Sequence, residues 1–259
     1  MKLDYIISKL DTIAPLNHAE KWDNVGLLLE PKKNQKIKKI LLTIDTTPLV
    51  IEEAIKNKVN LIISYHPILF NPINSLIISN NSDKKIISLI HNNISVYSPH
   101  TALDNAIGGV NDWLIKSCGP GKITPVSPSE GQSLASARKI TLNKPISLNT
   151  LCKRIKSYLD IPYLRVASGS ADKITTVACC AGSGSSALKD VYSDCYLTGE
   201  MSHHNILMAQ SNGINVLLSE HSHTERGFLK HYSSMINELL EGSVVIIISK
   251  QDRDPITLK

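Results

Sequence analysis

The amino-acid sequence predicts an α/β protein built from two lobes of similar design. In the first half, the strand "KKILLTID", the helix "PLVIEEAIKNK" and the strand "NLIIS" follow one another, and the second half repeats this order in "DCYLT", "SHHNILMAQSNG" and "INVLLS". Such alternation is typical of parallel sheets. A segment rich in Gly, Pro and Ser, "CGPGKITPVSPSEGQS", separates the halves. We therefore predict lobes at 1–125 and 126–259, the C-terminal part of the second being able to pack back on the first.

The first lobe begins with a predicted amphipathic helix, "MKLDYIISKLDTIAPL", in which apolar residues recur at helical intervals. Thr47 and Pro48 mark the start of the next helix, because Thr caps helices well and Pro fits their first turn. A third helix, "DKKIISLIHNN", leads to the strand "ISVYS". These strands place Asp45, His66 and His100 at their carboxyl ends, where open α/β sheets bind ligands.

The second lobe is predicted to contain the same kinds of element. Its strands are "RKITL", "KITTVACC", "DCYLT", "INVLLS" and "SVVIIIS", and its helices are "SLNTLCKRIKSYLD", "SHHNILMAQSNG" and "TERGFLKHYSSMINELLE". The loop "AGSGSS" resembles an anion-binding turn, but it lacks the Lys of a P-loop, and a plain tight turn fits equally well.

Composition excludes several classes of protein. The net charge of +5 includes a lysine-rich run, "PKKNQKIKK", without arginine or interleaved aromatic residues, so a surface turn fits better than a nucleic-acid groove. The five cysteines form no Cys-x-x-Cys pair and are expected to be reduced thiols. No signal peptide and no apolar run of membrane-spanning length is present. We expect a soluble, cytoplasmic protein that binds neither membranes nor nucleic acid.

Three predicted strands end in Ser-x-His, at His66, His100 and His221. Carboxylates follow two of these histidines by four positions, as Asp104 and Glu225, a spacing that puts both side chains on one helical face. The histidines just past strand ends are His66, His100, His203, His204, His221 and His223. Imidazoles with carboxylates suit zinc, iron, manganese or nickel, and a bridging carboxylate suits two ions about 3.5–4 Å apart. This clustering predicts a metal site.

A metal-free hydrolase is the competing interpretation. Ser64, Ser98 and Ser219 could serve as nucleophiles, but none stands in a Gly-x-Ser-x-Gly elbow. A Cys–His pair could involve only Cys179 or Cys180 among the cysteines near the strand ends. We expect the serines instead to bond the second nitrogen of a histidine or a backbone group.

With these residues assembled, the chain resembles the NIF-three-like family (NGG-interacting factor three), also known as GTP cyclohydrolase I type 2. Six segments carry the resemblance: "EKWDNVGLLL", "SYHPILF", "SPHTALDNAIGGVNDWL", "AGSGSS", "LTGEMSHH" and "SEHSHTERGF". The resemblance implies two interlinked three-layer α/β lobes with a dinuclear metal cleft between them. It also implies a homohexamer with the sites facing its inner cavity.

The resemblance further implies roles for individual residues. It places the metal ligands at His66, Asp104, His221 and Glu225, with Asp104 or Glu225 bridging two divalent ions. His100 would carry a proton or support the ligands, and Glu200 and His204 would line the same cleft, so we take these three as candidate catalytic residues.

The function implied is metal-dependent hydrolysis of a small molecule such as a nucleotide, with opening of the imidazole ring of GTP as the specific reaction. The alternative is a non-enzymatic interaction or transcription-related factor with a metal-binding site. One departure from the family pattern is Tyr65, which stands where many bacterial members have a histidine. A phenol is a poor neutral ligand, since its ordinary pKa is about 10. We therefore expect the second ion to be held more weakly.

Overall fold

The computed structural model describes residues 1–126 and 136–256, which divide into two compact units. Unit 1 comprises Met1–Leu103 and Leu229–Lys259, and unit 2 comprises Asp104–Phe228. The boundary at 125/126 would instead assign 104–125 to the first lobe, and part of the separating Gly/Pro/Ser segment, 127–135, lies outside the described residues. The C-terminal residues up to 256 belong to unit 1.

The described residues form a mixed α/β fold with two sheets, as predicted. The helices are α1 (Leu3–Ile13), α2 (Pro48–Lys56), α3 (Asn81–His91), α4 (His100–Asn105), α5 (Val110–Ile115), α6 (Leu148–Leu159), α7 (Ser185–Leu188), α8 (His203–Ser211) and α9 (Phe228–Leu239). The strands are β1 (Gly26–Leu29), β2 (Lys39–Thr43), β3 (Leu61–Ser64), β4 (Ser95–Ser98), β5 (Gly121–Val126), β6 (Ala137–Ser147), β7 (Arg165–Ala167), β8 (Lys173–Ser183), β9 (Cys195–Glu200), β10 (Asn215–Leu218) and β11 (Val245–Ile248). Within the described ranges no helix has the length and apolarity needed to cross a lipid bilayer.

The sheet of unit 1 has the strand order β1-β4-β3-β2-β11. Four of its strands run parallel, and β1 pairs with β4 in the antiparallel direction. Strands β3 and β4 are buried along their whole length, as parallel strands covered on both faces must be. The ladder continues past β3, because the amides of Tyr65 and His66 donate to the carbonyls of Thr43 and Ile44. The residues that follow β2, β3 and β4 therefore lie at one edge of this sheet.

The sheet of unit 2 has the strand order β5-β6-β8-β9-β10-β7. Its central strands β8, β9 and β10 are parallel, and β5, β6 and β7 pair in the antiparallel direction. The core contains Ala178, Tyr196 and Val216 from those central strands. Glu200 is the last residue of β9, and His221 follows β10. Both therefore lie near the carboxyl ends of neighbouring parallel strands.

Two boundaries differ from those predicted, each for a local reason, and the start of α2 agrees with the prediction. The helix expected from Thr224 begins at Phe228, because Ser222–Thr224 forms a short 3-10 helix first. The loop "AGSGSS" is partly strand, since β8 continues to Ser183. Helix α2 begins as expected, with the Thr47 hydroxyl accepting a hydrogen bond from the amide of Val50 and Pro48 as its first residue.

Candidate metal centre

His66 follows β3, and its ring is fixed by a carboxylate of the same unit. The Nδ1 atom of His66 lies 2.9 Å from Oδ1 of Asp45. The Ser64 hydroxyl donates to the His66 carbonyl over 2.8 Å and so holds the backbone at this point. A carboxylate on Nδ1 favours the tautomer that carries its proton there, which leaves Nε2 as the basic nitrogen. This is the usual arrangement of a metal-binding histidine.

His100 shows the same arrangement at the end of β4. Its Nδ1 atom lies 2.8 Å from Oδ1 of Asp23, whose side chain is completely buried. The amide of Thr101 donates to the other carboxylate oxygen over 3.1 Å, and the Thr101 hydroxyl also donates to it. Burial raises the pKa of Asp23, but these hydrogen bonds and the nearby imidazole outweigh it, and the pKa lies below its ordinary value of 3.8.

The backbone at His100 has an unusual conformation, with a φ of +25°. A positive φ is uncommon for residues other than glycine and stores strain that the surroundings must balance. Here the balance comes from the hydrogen bonds that hold Asp23 to both His100 and Thr101. Strain of this kind concentrates at functional sites.

The ring of Tyr65 contacts the rings of both His66 and His100. Its ring centroid is 5.1 Å from that of His66 and 5.6 Å from that of His100, the latter pair meeting edge to face. The side chain is buried, and the Tyr65 carbonyl accepts a hydrogen bond from the Ser98 hydroxyl. Tyr65 therefore packs against both imidazoles.

In unit 2, His221 has a carboxylate at each ring nitrogen. Nδ1 lies 3.0 Å from Oε1 of Glu200, and Nε2 lies 3.2 Å from Oε1 of Glu225. Carboxylates only accept hydrogen bonds, and a neutral imidazole has a single N–H. One of the two contacts therefore requires a second ring proton, a proton on the carboxyl group, or a cation between Nε2 and Glu225. Glu225 itself is 3% exposed, which makes a compensating positive charge more valuable.

Gly182, from the motif "AGSGSS", leaves space beside these two donor atoms. A Cβ at this position would lie 3.0 Å from both Glu225 Oε1 and His221 Nε2, and the φ of +62° also favours glycine. The Gly182 amide donates to the Thr224 hydroxyl over 2.8 Å, and that hydroxyl donates to the His221 carbonyl. The motif thus serves the His221–Glu225 pair by holding a side-chain-free backbone against it, and these two side chains belong to a group of His and Glu residues that could hold a metal ion.

Two further predicted site residues, His204 and Asp104, lie on helices. His204 is exposed near the start of α8, where its ring contacts that of His203 at 5.6 Å between centroids. Asp104 lies in α4 and is half-buried, and its carbonyl accepts a hydrogen bond from the buried side chain of Asn111. Sequence reasoning missed Asp23, and it left Asp45 without a role.

The serines and cysteines do not form a nucleophilic pair among the contacts observed in the described ranges. Ser64 and Ser98 donate to backbone carbonyls, as expected. The five cysteines carry free thiols. Burial raises the pKa of the Cys118 thiol to about 12 and that of Cys179 well above its ordinary value, which disfavours the reactive thiolate.

Comparison with known proteins agrees with this picture. The family model Duf34/NIF3 (NGG1p interacting factor 3) matches residues 1–255. A Drosophila melanogaster NIF3-like protein 1 is 40% identical, over 98% of this chain and 88% of its own length. The NGG1-interacting factor 3 of Saccharomyces cerevisiae is 38% identical, over 99% and 97%.

Solved structures show the same fold. The structure of reduced HcgD from Methanocaldococcus jannaschii superposes with a TM-score of 0.84 and 28% identity, covering 96% of this chain and 98% of that one. A Bacillus cereus protein related to NIF3 gives a TM-score of 0.86 with 21% identity, over 100% and 99%. The match over nearly the whole chain leads to one conclusion: this chain belongs to the DUF34/NIF3 family.

Proposed function

We propose that this protein is a metal-dependent hydrolase. The ligands we assign are His66, His221 and Glu225, with Asp104 as a fourth that helps to hold a second ion. Within unit 2, Nε2 of His221 lies 3.2 Å from Oε1 of Glu225, and within unit 1 the ring of His66 is held at Nδ1 by Asp45. The observation that supports the proposal is that His221 has a carboxylate at each ring nitrogen, an arrangement that a cation between Nε2 and Glu225 would satisfy.

The donor set fits a divalent transition metal. Two imidazoles and a carboxylate suit zinc, iron, manganese or nickel. His66 and His221 each have a carboxylate on Nδ1, and such partners orient the ring and raise its basicity toward a metal. The space that Gly182 leaves beside Nε2 of His221 and Oε1 of Glu225 is consistent with this assignment.

A bound divalent ion would supply Lewis-acid chemistry and lower the pKa of a water molecule toward neutrality. The residues of the chain have separate tasks. Asp45 and Glu200 hold the imidazoles of His66 and His221 in one orientation. His100, fixed at Nδ1 by Asp23, keeps Nε2 for accepting and returning a proton. We assign His204, an exposed imidazole, as the alternative group for moving the proton.

The substrate we propose is a small molecule, with ring opening of GTP as the first reaction to test. We further propose that the protein acts in the cytoplasm as a homohexamer. Size-exclusion chromatography with light scattering measures the assembly directly, and a monomer at micromolar concentration would contradict it.

The experiment begins with protein purified without chelator. Bound metals are measured, and turnover of GTP, phosphoesters and cyclic amides is followed for the wild type and for Asp104→Ala. A His221→Ala, Glu225→Ala double variant should lose metal, whereas His91→Ala, at the exposed end of α3, should retain it. Undisturbed metal content in the double variant would refute the ligand assignment. Bound metal without Asp104-dependent turnover on any substrate would refute the hydrolase.

The second candidate function is a protein-interaction factor in which the metal is structural. The name of the yeast relative, NGG1-interacting factor 3, favours it. So does an apolar stretch of unit 1 with exposed side chains at Phe70, Leu76, Ile77 and Ile78. This alternative predicts metal-dependent stability without turnover, the second outcome of the experiment above.

A further inference from the structure

We propose that Trp22 and Phe70 form an aromatic platform that stacks the planar heteroaromatic ring of the substrate. This inference rests on the proposed hydrolase function and names its substrate class. The two ring centroids are 6.0 Å apart, and the planes are tilted by 53°. Trp22 is 62% exposed and Phe70 is 51% exposed, so their faces are open to a ligand.

Trp22 and Phe70 are the exposed members among the tryptophans and phenylalanines of the chain. The sequence has two tryptophans and two phenylalanines. The other two, Trp113 and Phe228, also pack together, with centroids 6.2 Å apart, but Phe228 is 1% exposed and serves the interior. A large aromatic pair that stays in water does not gain the free energy of burial. A ligand stacked on the pair would recover part of that free energy.

The platform is fixed by hydrogen bonds on either side. Asp23, next to Trp22, is anchored to His100 and Thr101. The backbone amide of Asn24 donates to the Asp23 carboxylate over 2.8 Å. The side-chain amide of Asn24 donates to the carbonyl of Leu69, the residue before Phe70. The two aromatic residues are thus presented by connected backbone segments, and little ordering is needed when a ligand binds.

The platform continues into the candidate catalytic residues of unit 1. The Trp22 ring meets the His100 ring edge to face at 6.1 Å, and His100 meets His66 at 5.3 Å. A ring stacked on Trp22 would therefore be next to the proposed proton carrier. Hydrolysis needs an electrophilic centre, and a heteroaromatic ring offers an electrophilic carbon at its C=N or lactam bonds. The platform and the adjacent imidazoles would therefore recognise compounds that have a flat aromatic face and a polar edge.

The test measures binding separately from turnover. Guanosine, adenosine and thymidine are titrated by calorimetry into the metal-containing protein, with ribose 5-phosphate as the probe that lacks a heteroaromatic base. We expect at least one nucleoside to bind, about ten-fold more weakly to Trp22→Leu and nearly normally to Trp22→Phe. Trp113→Phe, which changes the internal pair, should bind as the wild type does. Equal binding by the wild type and Trp22→Leu, or no binding of any nucleoside, would overturn the platform.

The same experiment separates this inference from the function on which it rests. If nucleosides bind in a Trp22-dependent way but no substrate is hydrolysed, the platform stands and the hydrolase fails. The opposite case is Asp104-dependent hydrolysis of a substrate without a heteroaromatic ring. If Trp22→Leu leaves that hydrolysis unchanged, the hydrolase stands and the platform fails. Melting temperatures of Trp22→Leu and Phe70→Leu should match the wild type, because both side chains are exposed.

Discussion

The Nδ1 atom of His100 lies 2.8 Å from Oδ1 of Asp23, which precedes it by 77 positions in the chain. This contact joins a strained residue to a fully buried carboxylate and makes the conformation of each depend on the other. Asp23 is thus the positioning residue for the candidate proton carrier of unit 1. The pair affects both the acid stability of the protein and its proposed activity.

We predict that Asp23→Asn lowers the free energy of unfolding by about 1–3 kcal/mol at pH 7, because a buried charged hydrogen-bond acceptor is lost. The pKa of Asp23 is lower in the folded protein than its ordinary value of 3.8. Its contribution to stability is therefore complete above pH 3.8 and is lost as the pH falls through the folded-state pKa. We measure the free energy of unfolding by urea between pH 2 and pH 7. As the pH falls, this free energy should decrease less for Asp23→Asn than for the wild type. Asp172→Asn, a change at an exposed carboxylate, should show the same pH dependence of the unfolding free energy as the wild type.

We predict that Glu200→Ala weakens metal binding by about 10–100-fold, since it removes the carboxylate that orients His221 through Nδ1. Glu200→Gln should restore part of the affinity, because its amide oxygen can still accept from Nδ1. Glu220→Ala is the matched control, since Glu220 is the neighbour of His221 but pairs with Arg165 at 2.9 Å. Calorimetric titration of metal-stripped protein measures all three. A loss of affinity in Glu220→Ala as large as that in Glu200→Ala would indicate a general charge effect and refute the specific role.

The fold and part of the site could be predicted because they depend on local signals. Periodicity and capping residues identified α1 and α2, and apolar runs identified the parallel strands, whose carboxyl ends then located His66, His100 and His221. The short edge strand β1 was missed, since "GLLL" carries no alternation and pairs only with β4.

The carboxylate partners of the histidines could not be predicted in the same way. Asp45 and Asp23 contact rings that lie 21 and 77 positions later in the chain, and no helical or strand spacing links them. The pair His221–Glu225 was found because a spacing of four was read as one face of a helix. In the structure this segment is a short 3-10 helix, so the contact arises from a tight turn.

We predict that Tyr65→His raises the amount of metal bound per chain. Tyr65 packs directly against His66, at 5.1 Å between centroids, so an imidazole there could add a nitrogen ligand beside it. Tyr65→Phe is the control and should keep the wild-type stoichiometry, because it retains the ring and adds no donor. Elemental analysis of protein loaded with excess metal and then desalted gives the stoichiometry. An unchanged value in a folded Tyr65→His protein would show that this residue does not limit the second ion.

We predict that Gly182→Ala impairs metal binding by more than its cost in stability explains. A non-glycine residue in the left-handed region costs about 1–2 kcal/mol, and this cost should appear in the free energy of unfolding. The added Cβ would also lie 3.0 Å from both His221 Nε2 and Glu225 Oε1, so the two donor atoms must separate or shift. We therefore expect metal affinity to fall by at least about ten-fold, as when supporting contacts of a metal site are disturbed.

Gly242→Ala is the control that separates the two effects of this change. Gly242 has a φ of +64°, close to the +62° of Gly182, but a Cβ there would meet no atom within 4 Å. Both variants should therefore lose similar unfolding free energy, while only Gly182→Ala should bind metal weakly in a calorimetric titration. If both variants retained wild-type affinity, the space beside His221 and Glu225 would not be required for the ion, and the assignment of this pair as ligands would fail. If both lost affinity equally, backbone strain alone would account for the effect.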